Sequence, residues 1–109
     1  MVVRFPQRGE VYWVDFSPAR GSEQAGRRPA LIVQNDVGNQ YAPTTIVAAI
    51  TSKGSVKVYP TEVILPAGTL PRPSKILCSQ ILTISKTRLK GRITRLNREL
   101  LEQIDWALK

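Results

Sequence analysis

Residues 10–16 read Glu-Val-Tyr-Trp-Val-Asp-Phe. β-Branched and aromatic side chains dominate this run, which predicts a strand. Successive side chains of a strand point to opposite faces. Val11 and Trp13 therefore share one face, and Tyr12, Val14 and Phe16 share the other. A strand with apolar groups on both faces has to be covered on both. A chain of 109 residues has material for only one modest core. A short sheet bent into a small barrel meets both conditions, as does a strand lying beside a subunit interface.

The other segments fit such a sheet. Pro29 to Gln34, Thr45 to Thr51, Thr61 to Leu65 and Ile76 to Ile81 are short, apolar and rich in β-branched residues, so each predicts a strand. Proline is acceptable at the start of the second, where no ladder hydrogen bond is required of it. Between them, Ser17 to Arg28, Asn35 to Pro43 and Pro66 to Pro73 lack a period and are punctuated by Gly and Pro, so they predict loops; Lys53 to Ser55 predicts a turn. Thr83 to Arg95 reads ambiguously, with Leu89 to Ile93 compatible with a turn and a short strand. The C-terminus predicts a helix, with Asn97 as N-cap, Glu99 in the first turn, and Leu100, Leu101, Ile104, Ala107 and Leu108 as one apolar stripe. The expected architecture is mainly β: a single domain over residues 1–109, built as a small, strongly curved β-barrel with a C-terminal helix.

Sixteen Lys and Arg against eight Asp and Glu give a net charge of +8. Such an excess on a small surface attracts polyanions, of which nucleic acid is the commonest. An acidic protein partner satisfies the same field. Histidine is absent and there is one cysteine, Cys78. This excludes His-based acid/base pairs, Ser-His and Cys-His nucleophiles, thiolate clusters and an internal disulfide. Cys78 sits in an apolar-flanked run and reads as a small buried hydrophobe. The eight acids are scattered along the chain, so neither metal nor cofactor is expected. No segment has the length of a membrane span, and Met1 to Arg8 lacks the apolar core of a signal peptide, so a cytoplasmic location is expected.

An enzyme with this composition works with Arg, Lys, carboxylates and hydroxyls. The loop from Ser17 to Arg28 concentrates them. Gly21 and Gly26 allow close backbone approach; Ser22, Glu23 and Gln24 offer hydroxyl, carboxylate and amide; Arg20, Arg27 and Arg28 offer planar forks that match phosphate oxygens. Loops of about 12 residues or more are often functional. Arg28 directly precedes an apolar strand, which would support it rigidly. Thr51 ends another strand and can meet it at one rim of a barrel.

Arg8-Gly9-Glu10-Val11-Tyr12, Gly21-Ser22-Glu23-Gln24, Arg28-Pro29-Ala30-Leu31-Ile32-Val33-Gln34-Asn35-Asp36 and Ala49-Ile50-Thr51 occur in this order along the chain. In motif and separation they resemble the MazF family of MazF/PemK/Kid-type toxins, from Arg8 to the C-terminal helix. The resemblance implies an SH3-like barrel, a homodimer, and metal-independent cutting of single-stranded RNA that leaves 2′,3′-cyclic phosphate and 5′-hydroxyl ends. It implies an acidic MazE-like antitoxin as partner. It places Arg28 and Thr51 on catalytic positions, Ser22, Glu23 and Gln24 in an RNA-contacting loop also flanked by Arg20 and Arg27, and Gln80 in the RNA groove. Many members carry an acidic residue before this glutamine and a basic residue two positions after it. This chain has Ser79 and Leu82 there, so base preference does not transfer.

Attack of a 2′-hydroxyl on the adjacent phosphate needs a proton acceptor, stabilisation of added negative charge, and a donor for the leaving oxygen. Arg28 suits the second task and can assist the third. Guanidinium pKa values above about 12 make it a poor base, so the acceptor stays open between Arg28, Glu23 and water. Two other functions fit the charge and fold: a non-catalytic nucleic-acid-binding barrel, and a gyrase-directed toxin like CcdB.

Overall fold

The computed structural model describes residues 5–16, 26–52 and 59–108. Its elements are strand β1 (Glu10–Asp15), β2 (Arg27–Ile32), helix α1 (Asp36–Tyr41), β3 (Thr44–Thr51), β4 (Glu62–Ile64), β5 (Lys75–Ser85), a 3-10 turn (Lys86–Arg88), β6 (Leu89–Arg95) and α2 (Arg98–Leu108). The strands form one antiparallel sheet in the order β4-β5-β3-β2-β1-β6.

The expectation of two covered faces is met. Val11, Leu31, Ala48, Ile50, Ile76 and Cys78 lie in one cluster, into which α2 inserts Leu100 and Ile104. Val14, Ala30, Ile32, Val47 and Ile84 form a second. Neighbouring residues such as Leu31 and Ile32, or Val47 and Ala48, fall in different clusters, as the twofold alternation of a strand requires. The sheet is strongly curled but its edges do not pair: β4 and β6 stand at opposite ends of the ladder. The barrel is thus open. α2 packs on β4 and β5 and reaches the start of β1, where Arg8 pairs with Asp105. Gly9 lets it approach. Its φ is +95°, and a Cβ there would lie 3.0 Å from the Leu101 methyl groups. Asn97 caps α2, accepting the Leu100 N–H at 2.9 Å.

The segment expected to loop from Asn35 to Pro43 contains α1. Apolar periodicity could not reveal it, because polar contacts build it. Asn35 Oδ1 accepts the Gly38 N–H at 2.8 Å. Asn39, fully buried, accepts from the Thr45 hydroxyl at 2.7 Å and donates to the Gln34 carbonyl at 3.0 Å. The fifth strand runs four residues past Ile81 to Ser85. The ambiguous stretch resolves into the end of β5, the 3-10 turn and β6.

Glu62 and Lys75 tie the short edge strand β4 to β5 with an ion pair of 2.9 Å between side chains only 12% exposed. The Lys75 ammonium and, after it, the Tyr59 N–H hold the Glu62 carboxyl below its ordinary 4.5. A carboxyl whose folded value is depressed stabilises the fold above its unfolded value and loses that contribution as pH falls through the folded one. Glu62→Gln should therefore lower the thermal midpoint at about pH 7, and the gap to the parent protein should close towards about pH 2. Thermal unfolding followed by circular dichroism across this range checks it.

Candidate active site

Arg28 belongs to β2, which begins at Arg27, so the preceding loop ends two residues earlier than expected. Arg28 stands opposite Val14 in β1, a fully buried residue, and Pro29 stands opposite Trp13. On the other side β2 pairs with β3 from Ala30↔Ala49 to Ile32↔Val47. Continued outward, that register sets Pro29 against Ile50 and Arg28 against Thr51. Arg28 and Thr51 therefore lie just beyond the paired ends of the two strands.

The ladder between β2 and β3 stops at Ala30, one residue short of Pro29. Proline has no N–H to donate to it. Proline was expected at the first position of this strand; it occupies the third, where one side of the strand is no longer paired. Two hollows open where the ladder ends. One, of about 420 Å3, includes Trp13, Leu70 and Arg72 in its lining. The other, of about 760 Å3, includes Phe16, Ser79, Gln80 and Leu82. Arg28, Pro29, Ile50 and Thr51 line both.

Gln80 reaches the second hollow through a bulge. Ala48 pairs with Ile81 while the next residue, Ala49, pairs with Leu77. Cys78, Ser79 and Gln80 are thus inserted between consecutive pairings, and an insertion of this kind bends a strand and re-aims its side chains. Cys78 turns inward: it is buried, and its N–H donates to the Thr61 carbonyl at 2.8 Å. Ser79 and Gln80 are exposed.

The structure therefore gathers Arg27, Arg28, Thr51 and Gln80 around these two hollows. Arg20, Ser22, Glu23 and Gln24 lie outside the described residues, as does Gly21. Gly26 has φ +100° and accepts the Phe16 N–H at 3.1 Å, a conformation suited to glycine. Sequence reasoning did not single out Trp13 and Arg72, which line the first hollow. Trp13 was read as core, yet it is 37% exposed. Arg72 lies in the proline-rich segment read only as irregular. Among the described residues, no group of three or more His, Cys, Asp or Glu is placed to hold a metal. No helix there is long and apolar enough to cross a membrane.

The chain matches known proteins along most of its length. It is 48% identical over 105 residues to endoribonuclease EndoA of Bacillus subtilis (strain 168), covering 94% of this chain and 90% of that protein. The solved structure of MazF from Deinococcus radiodurans (Form-I) superposes with a TM-score of 0.78 at 28% identity, covering 97% of this chain and 94% of that one. MazE-MazF from the same organism (Form-III) gives 0.81 at 25% identity, covering 96% and 94%.

Burial pushes the Cys78 thiol up from its ordinary 9.0, which keeps it protonated and unreactive at neutral pH. A disulfide reagent at about pH 8 should label the folded protein at least roughly tenfold more slowly than the denatured chain. Equal rates would place the thiol at the surface.

The family model for the PemK-like, MazF-like toxins of type II toxin–antitoxin systems matches residues 7–109, and the chain belongs to that family.

Proposed function

We propose that the protein is a metal-independent, sequence-specific endoribonuclease toxin that cleaves single-stranded RNA, mRNA being the first substrate to test. The observation carrying this reading is the junction of the two hollows, both of which Arg28 and Thr51 line. It is supported by family membership and by the endoribonuclease relative.

Chemistry follows from the residue types. The substrate's 2′-oxygen attacks the neighbouring phosphorus, a new P–O bond forms, and the bond to the 5′-oxygen breaks. The products are a 2′,3′-cyclic phosphate and a 5′-hydroxyl. Negative charge grows on the non-bridging oxygens during attack. The planar fork of Arg28 matches two of those oxygens, and the Thr51 hydroxyl donates to one. A strand on which Val14 opposes Arg28 gives the fork a rigid base, and preorganised donors of this sort are usually the largest catalytic term. The 2′-hydroxyl proton goes to Glu23 or water, because a guanidinium is too weak a base; the leaving 5′-oxygen takes a proton from that protonated acceptor or from water, with Arg28 assisting. Arg20, Ser22, Gln24, Arg27 and Gln80 bind the RNA on either side.

The same reading gives the protein a cytoplasmic setting, a homodimeric state and an acidic MazE-like antitoxin. The MazE-MazF relative supports the last, and the net charge of +8 suits an acidic partner.

Arg28→Ala should slow cleavage by roughly 10²–10³, as loss of one oxyanion donor does elsewhere. Arg28→Lys should recover little, since an ammonium lacks the fork. Unstructured RNA incubated with the protein in EDTA, with 5′ ends mapped, should show cuts at short preferred sequences. A 2′-deoxy nucleotide at the cut site should block them. Cutting of that substrate at full rate would overturn the cyclisation mechanism. Intact RNA would overturn the nuclease reading, and salt-sensitive binding or inhibited supercoiling would then point to a binding module or a gyrase-directed toxin.

A further inference from the structure

The cleavage chemistry above uses Arg28 and Thr51, but it leaves the rest of the hollow on the Trp13 side unused, and that part has the build of a binding site. Ile50 and Leu70 close its bottom and are buried; Trp13, Pro29 and Ile93 form apolar walls. The exposed Arg27 and Arg72 stand at its mouth, with Arg28 on the side nearest Thr51. At about 420 Å3 it falls within the size range of small-ligand sites. Apolar walls with cations at the mouth match an object with a flat apolar face and a phosphate attached. An unstacked nucleotide is such an object: bases stack on aromatic rings, and their phosphates pair with guanidiniums.

We propose that this hollow takes one unpaired base of the RNA strand, directly beside the phosphate held at Arg28 and Thr51, and stacks it on the Trp13 indole. Arg72 holds a backbone phosphate of the same strand. The assignment rests on the ribonuclease reading and adds a specificity residue to it. It follows from geometry: the hollow shares Arg28, Pro29, Ile50 and Thr51 with its neighbour, so a strand crossing that junction leaves one flanking base facing Trp13. An acidic peptide from a protein partner suits the arginines, but leaves the exposed indole face without a flat partner.

The experiment uses an oligoribonucleotide with one cut site mapped with the parent protein, made uncleavable by a 2′-deoxy nucleotide at that site. The chain's other tryptophan, Trp106, is 72% exposed on α2, so Trp106→Phe serves as the background in which Trp13 reports alone. Binding should quench Trp13 fluorescence. An abasic residue at a single position adjoining the cut should abolish the quench, while abasic residues elsewhere should not. On the cleavable RNA, Trp13→Leu should raise KM by about tenfold to a hundredfold, the range expected for loss of one stacked base. Its kcat should stay within about twofold, as for loss of uniform binding. Arg72→Ala should lower the slope of log affinity against log salt by about one. The fluorescence scan needs no change at Trp13, so it decides even if Trp13→Leu fails to fold. RNA that is cut normally without quenching Trp13, or a quench insensitive to every abasic position, overturns the proposal. So does quenching by an acidic peptide but not by RNA. RNA left intact by the parent protein overturns instead the ribonuclease reading beneath it.

Discussion

The central strands of this protein must bury both faces, and the rest of the structure answers to that requirement. β1, β2 and β3 carry apolar side chains alternately into two clusters on opposite sides of the sheet. A flat sheet from a chain this short would leave one cluster wet. Curling carries Ile84 of β5 and Leu89 of β6 round to the second cluster, and α2 lies against the first. β4 and β6 stay unpaired at the two ends of the ladder, and α2 packs on β4 and β5.

The site arises where this sheet comes apart. Pro29 cannot extend the ladder to β3, so the first residues of β2 and the last of β3 lie beyond its end. Backbone rigidity is kept on the far side, where β1 pairs with β2 as far as Asp15↔Arg27. Arg28 and Thr51 are thus held by a sheet and still open to a ligand. The bulge at Cys78–Gln80 is another departure from regular pairing, and it brings Ser79 and Gln80 to the second hollow. This ladder end and this bulge both border the candidate site, a common place for bulges.

Much of this was legible in the sequence, for physical reasons. The two-sided pattern of β1 implied curvature, β3 was a short apolar and β-branched run, and α2 had an apolar stripe at helical spacing and a capping residue. That Arg28 and Thr51 line the same two hollows was not legible from spacing, because it depends on how β2 and β3 are set against each other. The family resemblance singled out both residues. α1 was missed because side-chain hydrogen bonds from Asn35 and Asn39 build it, not an apolar stripe. The extension of β5 was missed because the bulge breaks its alternation. Trp13 was taken as core since a tryptophan in a buried strand usually is; that one of its sides opens on a hollow depends on Leu70, Arg72 and Ile93, all far away in the chain.

The central claim is that the β2–β3 register makes Arg28 and Thr51 one unit acting on one phosphate. A double-mutant cycle on the cleavage rate tests this most directly, with Arg28→Ala, Thr51→Val and the pair compared at saturating RNA. Residues that act as a unit are far from additive, so the double variant should be little slower than Arg28→Ala alone. A double variant slowed by the full product of the two single effects would contradict the account.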